Sequence, residues 1–232
     1  MRVMITRPRE DARPLAEALA ARGVETLLEP LLEIVPVAGA RLDLTGVQAV
    51  LLTSANGARA LAAATGARDV TVLAVGAATA AAAAGFARVE AAGGDVAALA
   101  DLAASVCDPA GGALVHVAGS HVAGDLAGRL TERGFTLRRE TLYTAVLTEA
   151  LSDAAAAALR QGALDAVLLF SPRTADSFVT LAARAGVTAD LARVRALCLS
   201  AAVAEAAGTV AWRALDVAAR PDQEALLALV AG

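Results

Sequence analysis

The stretch LLFSPRTADSF at residues 168–178 passes directly from an apolar segment into Ser171, Pro172 and Arg173. A serine followed by proline is typical of a helix start, because the hydroxyl accepts a hydrogen bond from the first turn and proline fits the first helical position. The stretch LLTSANGARAL at 51–61 has a similar arrangement. Each stretch therefore predicts a buried strand that ends in a polar turn and continues as a helix.

Six strand-and-helix pairs of this kind predict an α/β protein with largely parallel sheets. The predicted strands are RVMIT (2–6), AVLLTS (49–54), VTVLAVG (70–76), ALVHVAGS (113–120), AVLLFS (166–171) and RALCLS (195–200). Segments of the two halves resemble one another in the same order, which favours two similar lobes over a solenoid. Residues 30–37 and 140–150 lack helical periodicity and are predicted to be linkers or crossing strands.

The composition argues against several classes of function. No apolar run approaches the roughly 20 residues of a membrane-spanning helix, and the net charge of −4 argues against a nucleic-acid surface. All 20 cationic side chains are arginine, so chemistry that needs a lysine amine is absent. The two histidines give poor support for a zinc site or a serine triad. We expect His116 in the core and His121 in a loop.

The N-terminus and the cysteines indicate a cytoplasmic protein. MRVMITRPRE lacks the longer apolar core of a secretory signal. Cys107 and Cys198 lie far apart and follow no disulfide or metal spacing, as expected in a reducing compartment. We therefore expect a cytoplasmic protein without a metal site.

The turns that follow the predicted strands contain the candidate binding residues. Such turns meet at the carboxyl edge of a parallel sheet, where helix N-termini offer unpaired N–H groups and a positive dipole to anions. The turns contain Thr6, Ser54, Gly76, Gly119, Ser171 and Ser200. Arg7 and Arg173 stand just beyond two strands, where a guanidinium could bind a carboxylate in bidentate fashion. These residues predict a site for an anionic small molecule, with backbone N–H groups as the main donors.

The ordered motifs of the chain resemble those of the uroporphyrinogen-III synthase family. They are TRPRE, P-L-x-E-I-x-P (30–36), TSANG (53–57), VGAAT (75–79), LYT (142–144), FSPRTADSF (170–178) and LSAAVAEAA (199–207). The resemblance covers nearly the whole chain. It implies a first lobe from residues 1–36 plus 147–232, a second lobe from 37–146, two antiparallel crossing strands, and an active cleft between the lobes.

The resemblance also implies a reaction. The family cyclises hydroxymethylbilane to uroporphyrinogen III without a cofactor, inverting ring D and releasing water. Loss of hydroxide gives an azafulvene-type cation, which attacks ring D at its substituted carbon, and a spiro intermediate then fragments and recloses. Tyr143 matches a family tyrosine expected to donate to the leaving hydroxyl, and Thr79 and Ser200 match positions near the substrate. Ala202 stands where many members have a threonine, so backbone N–H donation is expected from that loop.

The partner implied is a small-molecule substrate, hydroxymethylbilane. Binding to nucleic acid or to a membrane is not expected. A monomer is expected, and a transient contact with the preceding synthase is left open. One alternative is a two-lobed binding or sensor protein for an anionic small molecule without catalysis. A flavodoxin-like or response-regulator-like protein is a second alternative, which the absence of lysine and the single tryptophan and tyrosine disfavour.

Overall fold

The computed structural model describes residues 1–120 and 124–230, and it confirms the α/β class predicted from the sequence. Two compact units divide the chain. Unit 1 consists of Met1–Glu33 and Val146–Gly232, and unit 2 consists of Ile34–Ala145. Within the described ranges, no helix is long and apolar enough to cross a membrane.

The strands and helices alternate along most of the chain. The strands are β1 (Arg2–Ile5), β2 (Glu25–Leu28), β3 (Leu32–Pro36), β4 (Val47–Leu52), β5 (Thr71–Ala74), β6 (Arg88–Ala91), β7 (Ala113–Gly119), β8 (Leu137–Leu147), β9 (Ala166–Leu169), β10 (Arg195–Cys198) and β11 (Ala214–Val217). The helices are α1 (Arg9–Ala20), α2 (Ala55–Ala64), α3 (Ala77–Ala82), α4 (Val96–Val106), α5 (Leu126–Thr131), α6 (Asp153–Arg160), α7 (Pro172–Arg184), α8 (Ala201–Ala207) and α9 (Gln223–Ala228). A short 3-10 helix covers Thr188–Arg193.

Unit 1 contains a five-stranded sheet in the order β11-β10-β9-β1-β2, and each pairing in it is parallel. The central strand β9 is buried on both faces, as expected for a parallel sheet covered by helices. Val167 and Leu169 pack into the core on one face, and Ala166 and Leu168 pack into the core on the other. The alternation of a strand thus divides AVLL between two helical layers.

Unit 2 contains a six-stranded sheet in the order β3-β8-β7-β4-β5-β6. The pairings from β8 through β7, β4 and β5 to β6 are parallel. On β4, Val50 and Leu52 belong to one core and Ala49 and Leu51 to the other, each at 0% exposure. The carboxyl ends of these strands therefore lie at one edge of the sheet, where the turns to α2 and α3 begin.

Strands β3 and β8 run antiparallel to each other. Hydrogen bonds join residue 31 to 148, 35 to 144 and 37 to 142. The partners on β8 therefore come earlier in the chain as those on β3 come later, which is the pattern of antiparallel strands. The segment at 140–150 was predicted to be a linker or a crossing strand, and its residues 140–147 belong to an 11-residue strand that begins at Leu137 and also pairs with β7. Its β-branched and aromatic residues fit a strand paired on both sides.

A β-bulge interrupts the pairing of β7 with β8. Ala118 pairs with Thr141, whereas Gly119 pairs with Tyr143, so Leu142 is the extra residue on β8. Bulges of this kind redirect the side chains that follow them. Leu142 consequently packs in the core of unit 2, and Tyr143 comes to lie beside Gly119.

Candidate functional site

A cavity of about 690 Å³ opens at the carboxyl edge of the unit 2 sheet. Its wall includes the turn after β4, the ends of β7 and β5, and residues near the N-termini of α4 and α5. The lining residues are Thr53, Ser54, Val75, Gly94, Asp95, Val96, Ala97, Gly119, Gly124, Asp125, Arg129 and Tyr143. Three of the residues predicted from sequence, Ser54, Gly119 and Tyr143, therefore line one cavity.

The phenol of Tyr143 is held from two sides. Its Oη lies 2.9 Å from Oγ of Ser54, and only 8% of the residue is exposed. On the other side the ring lies against Gly119, where an added Cβ would come within 2.6 Å of Cε2. Residues at the ends of two neighbouring strands, Ser54 after β4 and Gly119 on β7, thus fix the hydroxyl and the ring of Tyr143.

Ser54 is the N-cap of α2 as well as the partner of Tyr143. Its Oγ accepts a hydrogen bond from the backbone N–H of Gly57 at 3.0 Å. The cap is the role that the Thr-Ser-Ala-Asn-Gly sequence predicts. The contact with Tyr143 links residues 89 positions apart and has no local sequence signal.

A buried histidine lies behind the cavity wall. His116 on β7 is 3% exposed, and its Nε2 lies 3.2 Å from Oγ1 of Thr53. Burial, and secondarily the charge of Arg139, lowers the pKa of His116 to about 4, so the imidazole is neutral near pH 7. The expectation that His116 is a core residue is confirmed. It contributes a neutral hydrogen-bonding partner for Thr53.

Two aspartates in the wall were not predicted from the sequence. Oδ1 of Asp95 accepts from Ala98 N at 2.7 Å and caps α4, and Oδ1 of Asp125 accepts from Gly128 N at 2.8 Å and caps α5. Both follow glycine and precede an apolar helix, which is a recognisable N-cap signal. Their carboxylates are occupied by their own helices.

Gly76 and Thr79 lie in the neighbouring turn and helix of unit 2. Gly76 is the N-cap of α3 with an extended backbone, and a Cβ there would meet Gly94 at 3.5 Å. Thr79 lies within α3 and is 5% exposed. The cavity lining described above includes neither residue.

In unit 1, Thr6 and Arg7 follow β1. The Thr6 side chain is fully buried and donates to the carbonyl of Leu168 at 2.7 Å. The guanidinium of Arg7 lies 4.7 Å from the ring centroid of Phe170 and donates to Oε1 of Gln223 at 3.0 Å. It also pairs with Asp11 at 3.8 Å. Arg7 is thus held by an aromatic ring, an amide and a carboxylate of its own unit.

Ser171, Arg173 and Ser200 follow β9 and β10 of unit 1. Oγ of Ser171 accepts from Thr174 N at 3.2 Å and lies 2.8 Å from Oγ1 of Thr174, so the predicted cap of α7 is confirmed. Arg173 lines a groove of about 600 Å³ beside α7. Ser200 is the N-cap residue of α8, and its hydroxyl makes no capping hydrogen bond.

Two further expectations concern His121 and metals. His121 lies outside the described residues. Across the described parts of the chain, no group of three or more His, Cys, Asp or Glu side chains is arranged to hold a metal ion. The polar groups of the cavity are instead hydroxyls, cap carboxylates, helix N-termini and one guanidinium.

Among the solved structures that align with the chain are two uroporphyrinogen III synthases, from Helicobacter pylori and Thermus thermophilus. Uroporphyrinogen-III synthetase from Helicobacter pylori aligns at a TM-score of 0.63 and 17% identity, covering 100% of this chain and 99% of that one. A mutant uroporphyrinogen III synthase from Thermus thermophilus aligns at a TM-score of 0.54 and 18% identity, covering 100% and 98%. At these identities the alignments establish the fold.

A comparison with family models identifies the chain more directly, whereas a search of curated proteins finds no match. The model of uroporphyrinogen-III synthase HemD matches residues 13–228, which is nearly the full length of the chain. We conclude that the chain belongs to the uroporphyrinogen-III synthase family and is an enzyme of tetrapyrrole biosynthesis, a cyclising lyase.

Proposed function

We propose that Tyr143 donates the proton that assists departure of the substrate hydroxyl, and that the cavity around it receives the reacting end of the substrate. As a family member, the protein converts hydroxymethylbilane to uroporphyrinogen III, with inversion of ring D and loss of water. The observation that carries the proposal is the position of the single tyrosine. Its Oη is anchored 2.9 Å from Oγ of Ser54 in the wall of a cavity of about 690 Å³.

The chemistry needs one proton at the leaving oxygen. The bond between the hydroxymethyl carbon and oxygen breaks with its electron pair on oxygen, and the phenol O–H supplies the proton that completes water. The pyrrole nitrogen supplies the electrons that form the azafulvene-type cation. After rearrangement, ring D loses a proton as the macrocycle closes, and that proton restores the phenol. The larger task of the protein is to hold ring D for attack at its substituted carbon.

The carboxylates of the substrate need donors, and helix N-termini are well suited to provide them. We assign this role to the first turns of α2 and α4, whose N-cap residues Ser54 and Asp95 line the cavity. Support comes from Ser54, whose hydroxyl accepts from its own helix and leaves backbone groups as the available donors. The roles of the other residues in substrate binding remain predictions; they are Thr6, Arg7, Gly76, Thr79, Gly119, Ser171, Arg173 and Ser200.

We further propose that the two lobes, residues 1–36 plus 147–232 and residues 37–146, are the folding domains of a cytoplasmic monomer. Supporting the location, Cys107 and Cys198 are both free, and burial raises the pKa of the Cys198 thiol to about 11, which keeps it unreactive. Sedimentation equilibrium tests the monomer, and cell fractionation tests the compartment. A dimer, or recovery with membranes, would contradict the respective proposal.

The decisive experiment supplies freshly made hydroxymethylbilane, oxidises the products and quantifies the isomers for the parent protein and Tyr143→Phe. The parent should give the type III isomer. Tyr143→Phe keeps the ring and should reduce kcat by about 10- to 100-fold, toward the low end of general acid catalysis because the pyrrole nitrogen drives the step. Thr144→Val, which removes the next hydroxyl on β8 from its bond to the Val35 carbonyl, is the matched control and should keep kcat.

Each outcome separates two interpretations of the site. If the parent gives only the type I isomer, as unassisted closure does, the protein binds an anionic ligand without catalysis. If the parent gives type III and Tyr143→Phe is as fast, the synthase function stands and the role of Tyr143 is wrong.

A further inference from the structure

The hydroxyl of Ser54 connects a helix N-terminus to the phenol of Tyr143. Its Oγ accepts from the N–H of Gly57 at 3.0 Å and lies 2.9 Å from Oη of Tyr143. Both contacts have ordinary hydrogen-bond lengths, and Gly57 is in the first turn of α2. Ser54 therefore has one partner fixed by its own helix and a second partner on β8.

The direction of the second hydrogen bond follows from the donors available. A serine hydroxyl has one hydrogen and two lone pairs, and Gly57 N–H occupies one lone pair. If Tyr143 donated to Ser54, the serine oxygen would accept twice and its own hydrogen would need a third partner. If Ser54 donates to Tyr143, the N–H of Gly57 donates to Ser54 and Ser54 donates to the phenol oxygen, so the first hydrogen bond polarises and strengthens the second.

We propose that Ser54 is a positioning residue that donates to Oη of Tyr143 and thereby turns the phenol hydrogen into the cavity. The inference rests on the proposed role of Tyr143 and assigns Ser54 a function different from direct substrate binding. The positive end of α2 acts through this hydroxyl, because the N–H of Gly57 draws electron density from the Ser54 oxygen. Its action on the substrate is indirect.

The ring of Tyr143 has little freedom to choose another orientation. Gly119 allows the ring edge to approach so closely that a Cβ would lie 2.6 Å from Cε2 and 2.9 Å from Cζ. The backbone N–H of Ser120 donates to the carbonyl of Tyr143 at 3.1 Å, and Arg139 donates to the carbonyl of Gly119 at 2.9 Å. With the ring fixed, the remaining freedom is rotation of the phenol hydrogen, which the Ser54 donor would set.

A double-mutant cycle distinguishes a positioning role from direct substrate contact. Ser54→Ala should lower kcat by about 2- to 10-fold, the equivalent of one net hydrogen bond, with a smaller change in KM. In the Tyr143→Phe background the same substitution should change kcat by less than about twofold, because the phenol hydrogen is already gone. Equal losses in both backgrounds would mean that Ser54 contacts the substrate itself.

The loss of the helix cap needs its own control, since Ser54→Ala also removes the bond to Gly57. Ser152 caps α6 by accepting from Ala155 N at 3.1 Å, and its hydroxyl also has a side-chain partner, Glu29. Ser152→Ala should lower the free energy of unfolding by an amount comparable to Ser54→Ala, as expected for the loss of an N-cap, and leave kcat unchanged. Ser54→Thr keeps a hydroxyl at the cap and should restore most of the rate.

A Raman measurement without substrate tests the direction of the bond. The intensity ratio of the tyrosine Fermi doublet rises when the phenol oxygen accepts a hydrogen bond and falls when the hydroxyl is a strong donor. Because Tyr143 is the only tyrosine, the doublet reports this residue alone. We expect an accepting phenol in the parent protein and a lower ratio in Ser54→Ala.

The opposite Raman result, a donating phenol in the parent, would overturn the proposal whether or not Ser54→Ala folds. The measurement is also independent of the proposed function. Failure to form the type III isomer would remove the synthase chemistry but leave the doublet unchanged, whereas a donating phenol in an active synthase would refute only the role of Ser54.

Discussion

Replacing Gly119 by alanine should displace the ring of Tyr143. The added Cβ would lie 2.6 Å from Cε2, 2.9 Å from Cζ and 3.2 Å from Cδ2. Carbon atoms in contact normally lie about 3.5–4.0 Å apart, so the ring edge has to retreat by about 1 Å. Gly119 is not one of the glycines with positive φ, so the strain arises from this contact and not from the backbone.

Displacement of the Tyr143 ring should lower both the stability of the protein and the rate of the reaction. Overpacking of this kind costs about 1–3 kcal/mol, and the ring is 8% exposed and has little room to relax. A movement of about 1 Å would also carry Oη beyond hydrogen-bond distance of Ser54, which it now approaches at 2.9 Å. We therefore expect Gly119→Ala to lose as much kcat as Tyr143→Phe and no more, and the double variant to match either single variant.

Urea unfolding followed by far-ultraviolet circular dichroism, a signal that does not depend on the tyrosine ring, measures the change in the free energy of unfolding. Gly66→Ala is the matched control, because Gly66 lies in the same unit, has no positive φ, and an added Cβ there would meet no atom within 4 Å. It should change the free energy of unfolding by less than about 0.5 kcal/mol. In a Tyr143→Ala background, where the ring is absent, the cost of Gly119→Ala should fall to a similarly small value. An undiminished cost there would refute the steric argument.

The remaining predictions concern three buried groups. Burial lowers the pKa of His116 from 6.5 to about 4, so protonation of this side chain favours the unfolded state. The contribution of His116 to the free energy of unfolding should be constant above pH 6.5 and decline by about 3 kcal/mol as the pH falls to about 4. Urea unfolding across this range should show the decline, and His116→Gln should abolish it. Glu29→Ala should cost about 1–3 kcal/mol, because the 5% exposed carboxylate accepts from N and Oγ of Ser152 at 2.7 and 2.6 Å, and an unchanged urea midpoint would contradict this. Phe178→Ala removes the ring stacked 5.8 Å from Trp212 and should cost about 3–5 kcal/mol, measured by the fluorescence of the single tryptophan; a cost below about 1 kcal/mol would show that the site collapses.

Local signals made the fold predictable. The strands whose residues alternate between two cores appear in the sequence as short apolar runs. Ser54 and Ser171 are N-caps, and they mark the starts of the helices that follow. Gly23 and Gly134 have positive φ just beyond the ends of α1 and α5, which is where glycine commonly closes a helix. These features depend on residues within one turn or strand, where propensity and capping decide the conformation.

The candidate site was less predictable because its contacts join distant residues. The bulge at Leu142 changes which residue of β8 lies beside Gly119, and alternation alone does not reveal an extra residue. The Ser54 hydroxyl appeared in the sequence as a cap or a substrate ligand, and its hydrogen bond to Tyr143 depends on a strand 89 positions away. The hydroxyl of Thr6, likewise, donates to Leu168 in a neighbouring strand.

The two similar stretches, LLTSANGARAL and LLFSPRTADSF, show how equivalent turns acquire different uses. In both, a serine hydroxyl accepts from the third helical N–H, as the cap requires. The second contact differs: Oγ of Ser171 lies 2.8 Å from Thr174 of its own helix, whereas Oγ of Ser54 lies 2.9 Å from Tyr143 on another strand. Because the chain has one tyrosine, only one of these turns can act on a phenol. An alanine at Ser171 should therefore affect its helix and any anion bound there, whereas an alanine at Ser54 should also affect the proton that the reaction needs.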